Sequence, residues 1–185
     1  MGHAITVVTG PARSGKSRWA EHLAQASGLE VTYVATGGSG VGDPFWQARL
    51  ALHRQRRPST WGCQEVGFGL ADSLSTIGAH SLALVDSLGS WVAHGLELDG
   101  MTWQQHCQRL LGAMDGCKGA VIVVSEQTGW GVVPPTAIGG LFRDRLGELE
   151  QQVMAVASSG WLVVAGRAID LLPTSVPVPL SKAIP

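Results

Sequence analysis

The residues best equipped for chemistry are Gly10, Pro11, Ala12, Arg13, Ser14, Gly15, Lys16 and Ser17, which are contiguous. They follow the apolar, β-branched run Ile5 to Val8, then Thr9, and lead into Ser17-Arg18-Trp19-Ala20-Glu21-His22-Leu23-Ala24, which reads as helix. Strand, glycine loop, Lys-Ser and helix in that order form the phosphate-binding P-loop. Glycine lets successive backbone N–H groups close around phosphate oxygens, and the helix start adds partial positive charge. Lys16 is expected to reach the β- and γ-phosphates, and the Ser17 hydroxyl to ligate Mg²⁺. An ordinary βα turn needs neither a lysine nor a hydroxyl at these two positions. The expected ligand is a nucleoside triphosphate.

A P-loop needs an acidic partner on another strand. Ser81 to Val85 is an apolar strand ending in Asp86, where a carboxylate can hold Mg²⁺ directly or through water. The same aspartate could instead cap the next helix. Paired with Lys16 and Ser17, the metal role is the preferred expectation.

A second cluster lies between Pro44 and Pro58, which start and stop a predicted helix with Asp43 as its cap. At about 100° per residue, Arg49, His53 and Arg57 share one face, Arg56 falls beside them, and Arg54 lies outside. Phe45, Ala48, Ala51 and Leu52 form an arc expected to pack on the body of the protein. The arginines lack acidic i±4 partners, and guanidinium groups without them suit phosphate. They also lower the pKa of His53 below its usual value of about 6.5, leaving a neutral imidazole able to attack phosphorus. A solvated charged face is the competing explanation. The other histidines are read as bystanders.

The elements that must position these groups are those of a mostly parallel α/β sheet flanked by helices. The 185 residues are 45% hydrophobic and only 15% charged, as strands covered on both faces require. Further strands are expected at Val31 to Thr36, Trp61 to Val66, Ala120 to Ser125 and, last, Trp161 to Ala165. Helices are expected over Gly67 to Ile77, Ser90 to Leu96, from Asp99 or Thr102 to Met114, and Ile138 to Ser158. Trp130, between Gly129 and Gly131, suggests a ligand lid or a subunit contact, with core packing as the alternative. A net charge of −1 gives no global attraction to nucleic acid. Cys63, Cys107 and Cys117 lack zinc-ligand spacing and read as reduced thiols. No run approaches transmembrane length, so a cytoplasmic protein without membrane contact is expected. Residues 1–172 are expected to form the P-loop domain, and residues 173–185, with four prolines, an extended or disordered tail.

Several stretches together resemble the bifunctional adenosylcobinamide kinase/adenosylcobinamide-phosphate guanylyltransferase family of cobalamin biosynthesis. They are TGPARSGKSRWAE (Thr9–Glu21), YVAT (Tyr33–Thr36), RLALHRQRRPSTW (Arg49–Trp61) with Glu65, VDSLGSWV (Val85–Val92), GWGVVP (Gly129–Pro134) and FRDRLG (Phe142–Gly147). The resemblance implies a RecA-like P-loop fold that binds GTP and transfers its GMP to a histidine, here His53. It implies nucleotide contacts from Arg54, Gln55, Arg56 and Arg57, from Thr36, Gly37 and Gly38, and from Glu65 and Asp86. It further implies phosphorylation of adenosylcobinamide by ATP or GTP, then guanylylation of adenosylcobinamide phosphate, in a homotrimer.

The chain departs from the family pattern in places. Pro44-Phe45-Trp46 follows Asp43 where an acidic pair and methionine are usual. Glu126-Gln127 replaces Asn-Glu, and His94 and Glu150 each replace Asn. These changes leave open a kinase of another small alcohol, or a non-catalytic GTP-binding relative.

Overall fold

The computed structural model describes residues 4–38, 47–48, 51, 55, 57–131 and 133–179. Seven strands form one sheet: β1 (Ile5–Thr9), β2 (Glu30–Ala35), β3 (Gly62–Glu65), β4 (Ser81–Asp86), β5 (Ala120–Val124), β6 (Ser159–Val164) and β7 (Arg167–Asp170). Their order is β3-β2-β4-β5-β1-β6-β7, with every pair parallel except β6–β7. The flanking helices include α1 (Lys16–Ala26), α2 (Leu70–Ser75), α3 (Leu88–His94), α4 (Gly100–Asp115) and α5 (Ala137–Val156). The mostly parallel, helix-flanked sheet expected from composition is present.

Strand side chains alternate between two cores, as the two-residue period demands. Val7, Ala83, Val85, Val121 and Val123 join Trp91, Leu110, Met114, Leu146 and Leu149 on the face covered by α2 to α5. Val8, Leu82, Leu84, Ile122 and Val124 join Ala20 and Ala24 of α1 on the other. Helix starts are capped by side chains: Asp99 accepts from the Thr102 N–H at 2.9 Å, and Thr136 from the Gly139 N–H at 3.2 Å. Gly28, at φ 68°, stands just past the end of α1.

Two expectations are corrected. Trp161 to Ala165 is not the last strand, because the chain reverses at Ala165-Gly166 and adds antiparallel β7. Only four residues long and charged at both ends, β7 carries little strand signature. In the second cluster, Gln47, Ala48, Ala51 and Gln55 are helical, as expected, but Ala48 and Ala51 are exposed rather than packed on the body. Alanine methyl groups carry too little apolar area to fix a helix face against a core. Phe45 and Leu52 lie outside the described residues. Cys63, Cys107 and Cys117 are free thiols, and burial pushes Cys107 up to about 12. Among the described residues no helix is long and apolar enough to cross a membrane.

Candidate nucleotide site

Strand register places the site residues on one edge. Glu65 lies opposite Ala35, Ala35 opposite Asp86, and Asp86 opposite Val124, which is also paired with Val8. The next residues along, Thr36, Ser87, Ser125 and Thr9, therefore stand together at the carboxyl ends of the strands, where open α/β sheets bind ligands. At about 4.8 Å per strand, Asp86 sits two strands, or about 10 Å, from the P-loop strand.

The loop over that edge is held from three sides. Gly10 approaches β6 so closely that a Cβ there would lie 2.1 Å from the Val163 carbonyl oxygen, so only glycine fits. Ser14 accepts from the Gly166 N–H at 3.0 Å through its carbonyl, and its hydroxyl accepts from the Lys16 N–H at 3.3 Å. The Gly10 carbonyl accepts from the Gln127 N–H at 3.0 Å. Gly15, at φ 103°, precedes α1 without a side-chain cap. No acidic residue enters the first turn of α1, so no carboxylate competes with an anion at the helix start. Lys16 is buried at the base of the loop.

Asp86 lies at the centre of a linked set of side chains. Tyr33 donates its hydroxyl to Asp86 Oδ2 at 3.0 Å, and the Arg57 guanidinium lies 3.9 Å over the Tyr33 ring. Arg57 also donates to Cys63 Sγ at 3.1 Å. The cap of α3 is Ser87, not Asp86, which removes the alternative reading of that aspartate. Thr36 is fully buried; its hydroxyl donates to the Ser87 carbonyl at 2.6 Å and accepts from the Ser87 N–H at 2.9 Å. His94 Nε2 donates to the Thr36 carbonyl at 3.0 Å.

Glu126 completes the arrangement. It accepts from the Ser87 hydroxyl and, at 2.9 Å, from the Gly89 N–H, buttressing the start of α3 from β5. Burial, and then the neighbouring Asp86 charge, push its carboxyl above the usual range, while Ser87, Lys16 and the Gly89 N–H pull the other way. One position on, Gln127 turns aside to Glu150. Its amide donates to Glu150 Oε1 and, at 3.0 Å, to Thr9 Oγ1, while the Ser125 hydroxyl donates to Glu150 Oε2 at 2.7 Å. Burial raises the Glu150 carboxyl as well.

The donor set fits magnesium. Ser17 and Asp86 are hard oxygen donors, the Glu126 carboxyl neighbours Asp86, and no three His, Cys, Asp or Glu side chains converge among the described residues. Mg²⁺ is typically held by one or two carboxylates together with phosphate oxygens and water, not by an all-protein cage.

Of the residues singled out in the sequence, the edge unites Gly10 to Ser17, Thr36 with Gly37 and Gly38, and Asp86. Glu65 stands exposed on the same edge two strands from Asp86, and Arg57 joins it through Tyr33. Gln55 is helical and exposed. His53, Arg49, Arg54 and Arg56 lie outside the described residues. Tyr33, Ser87 and Glu126 were missed. Glu126 had a signal, because it follows a buried strand as Asp86 does.

The sheet order and the loop over its edge define a RecA-like P-loop fold. A type III secretion system ATPase superposes with a TM-score of 0.54 at 14% identity, covering 88% of this chain and 51% of its own. A Pyrococcus horikoshii protein gives 0.53 at 8% identity, covering 91% and 85%. These likenesses show the fold. Residues 6–171 match the family model for cobinamide kinase / cobinamide phosphate guanyltransferase, and the chain belongs to that family. It is 37% identical to the bifunctional adenosylcobalamin biosynthesis protein CobP of Pseudomonas aeruginosa over 167 residues, covering 89% of this chain and 95% of the relative. It is 33% identical to CobU of Escherichia coli, similarly described, over 182 residues, covering 90% and 99%.

Proposed function

We propose that this chain catalyses both reactions for which its family is named. In the first, the hydroxyl oxygen of the aminopropanol arm of adenosylcobinamide attacks the γ-phosphorus of ATP or GTP. The bond to the bridging β–γ oxygen breaks, the nucleoside diphosphate leaves, and the hydroxyl proton passes to water or a carboxylate. Lys16 and the α1 amides hold the phosphates and take up the developing charge. Ser17 and Asp86 would hold Mg²⁺, which supplies charge neutralisation at the phosphates when bound.

In the second reaction the unprotonated nitrogen of His53 attacks the α-phosphorus of GTP, forming a nitrogen–phosphorus bond and releasing pyrophosphate. A phosphate oxygen of adenosylcobinamide phosphate then attacks the same phosphorus, freeing His53 and giving adenosylcobinamide-GDP. Arg54, Gln55, Arg56, Arg57, Thr36, Gly37, Gly38 and Glu65 are the proposed nucleotide contacts. We take residues 1–172 as the nucleotide-binding domain, acting in the cytoplasm as a homotrimer.

The observation that carries this reading is the pairing of the Lys16 loop with Asp86 on one sheet edge, in a chain matched to the family from residue 6 to residue 171. Incubation with α-labelled GTP is expected to leave acid-labile label on the protein, and His53→Ala to abolish it. Phosphorylation of adenosylcobinamide should survive that substitution and be lost in Lys16→Ala. Label persisting in His53→Ala would refute the assignment of the nucleophile. Phosphoryl transfer without any labelling would select a plain kinase.

A further inference from the structure

A cavity of about 760 Å³ lies between the loop after β5, helix α5 and the segment after β7. Its wall is apolar, with Trp130, Met154, Leu162, Leu172 and Val176 among its lining. Trp130 and Val176 are 59% and 85% exposed. The floor is polar and internally bonded: buried Glu150 is held by Ser125 and Gln127, and Gln127 also bonds Thr9. The backbone of Gln127 is bonded to the Gly10 carbonyl, so the polar end abuts the first residue of the P-loop. Phosphates are the business of that loop and have no need of an apolar shelf of this size. The cavity calls for a second ligand, large and apolar, whose reacting end meets the loop.

We propose that this cavity receives the corrinoid acceptor, an inference that rests on the function proposed above. A corrin is a large, nearly flat macrocycle with apolar faces and a rim of amide side chains, one of which carries the hydroxyl to be phosphorylated. The walls suit the ring face, with Trp130 offering an aromatic surface to it. Arg143 and Gln151 of α5 line the same space and can hydrogen-bond rim amides. The polar end beside Gly10 takes the hydroxyl-bearing arm. Trp130 and the segment from Leu171 to Val178 thereby acquire a role as the acceptor's enclosure.

Gly147 lines the cavity, and a Cβ built there meets nothing within 4 Å, so a large side chain can be added without a clash at its root. Gly147→Trp, and separately Ala155→Trp, are expected to raise the KM for adenosylcobinamide about ten-fold or more by filling the space. Dissociation constants for cobinamide from equilibrium dialysis should rise in parallel, with GTP affinity and the melting temperature little changed. Unchanged KM and dialysis constants in both folded variants would overturn the assignment, and corrinoid turnover by the unaltered chain would still uphold the functional reading. If the unaltered chain turns over no corrinoid, that reading fails. Dialysis then decides the cavity alone: cobinamide binding weakened by Gly147→Trp supports it, and binding absent or unaffected overturns it.

Discussion

Tyr33 and Asp86 are joined by a 3.0 Å hydrogen bond from the phenol to the carboxylate, with the Arg57 guanidinium lying over the phenol ring. Sequence places these residues far apart, and adjacent strands bring them together. The pair ties an arginine of the proposed nucleotide-binding segment to the acidic residue of the P-loop site.

Tyr33 is the only tyrosine of the chain, so its ionisation can be read without interference. Burial, then the Asp86 charge and hydrogen bond, push the phenol well above its usual value of about 10, with Arg57 opposing. The folded state therefore keeps a proton that the unfolded chain releases. Stability from this group is fully present below about pH 10 and is lost as pH rises above it. Near-ultraviolet titration is expected to show no tyrosinate until the protein unfolds, and an ordinary transition near pH 10 in denaturant. A native-state transition near pH 10 would contradict the pairing.

Thr36 bonds both the carbonyl and the N–H of Ser87 through one fully buried hydroxyl. Thr36→Val keeps the shape and strands both groups, at a cost of about 2–4 kcal/mol. Thr36→Ser keeps both bonds and should cost under about 1 kcal/mol. Urea denaturation measures both. Nucleotide affinity should fall in the valine variant, because Ser87 follows Asp86 directly.

Glu126 is coupled electrostatically to both Asp86 and Lys16 while supporting the start of α3. In Glu126→Gln the amide oxygen can still accept from the Gly89 N–H, so the fold should persist. Steady-state kinetics are expected to show phosphoryl transfer reduced by about ten- to a hundred-fold with nucleotide KM little altered. Unchanged turnover would confine Glu126 to a capping role.

Glu150 is a buried carboxyl whose pKa is raised by desolvation. The folded protein binds its proton more tightly than the unfolded chain, so this group lowers stability as pH climbs above the unfolded value of about 4.3. Glu150→Gln, which can still bond Ser125 and Gln127, is expected to melt higher than the parent at pH 8. The gain is on the order of 1 kcal/mol for each unit of pKa shift removed. The advantage should shrink towards pH 4. Melting curves across that range test the sign.

The strands were legible because β-branched runs bounded by glycine leave little else to form, and the sheet brings Asp86 to the same edge as the loop carrying Lys16. What stayed hidden depends on packing between distant segments. Ser87 caps α3 and bonds Thr36, and His94 reaches the Thr36 carbonyl, contacts between segments far apart in the chain. In the stretch Phe142–Gly147 the two arginines read alike. Buried Arg145 instead donates to the Gly95 and Leu98 carbonyls, at 2.6 and 2.7 Å, and braces a turn, whereas Arg143 faces the cavity. β7 was missed because its pairing partner, and not its own composition, makes it a strand.

Among the described residues strand β1 pairs only with β5 and β6, and Ser14 is fastened to Gly166. During vectorial synthesis on the ribosome, β1 thus waits for its partners until residues beyond 120 arrive. Its loop lacks its last brace until the β6–β7 hairpin follows. The loop is therefore completed late in the life of the nascent chain, and a prematurely terminated product would expose an apolar ribbon with an unbraced loop at its end.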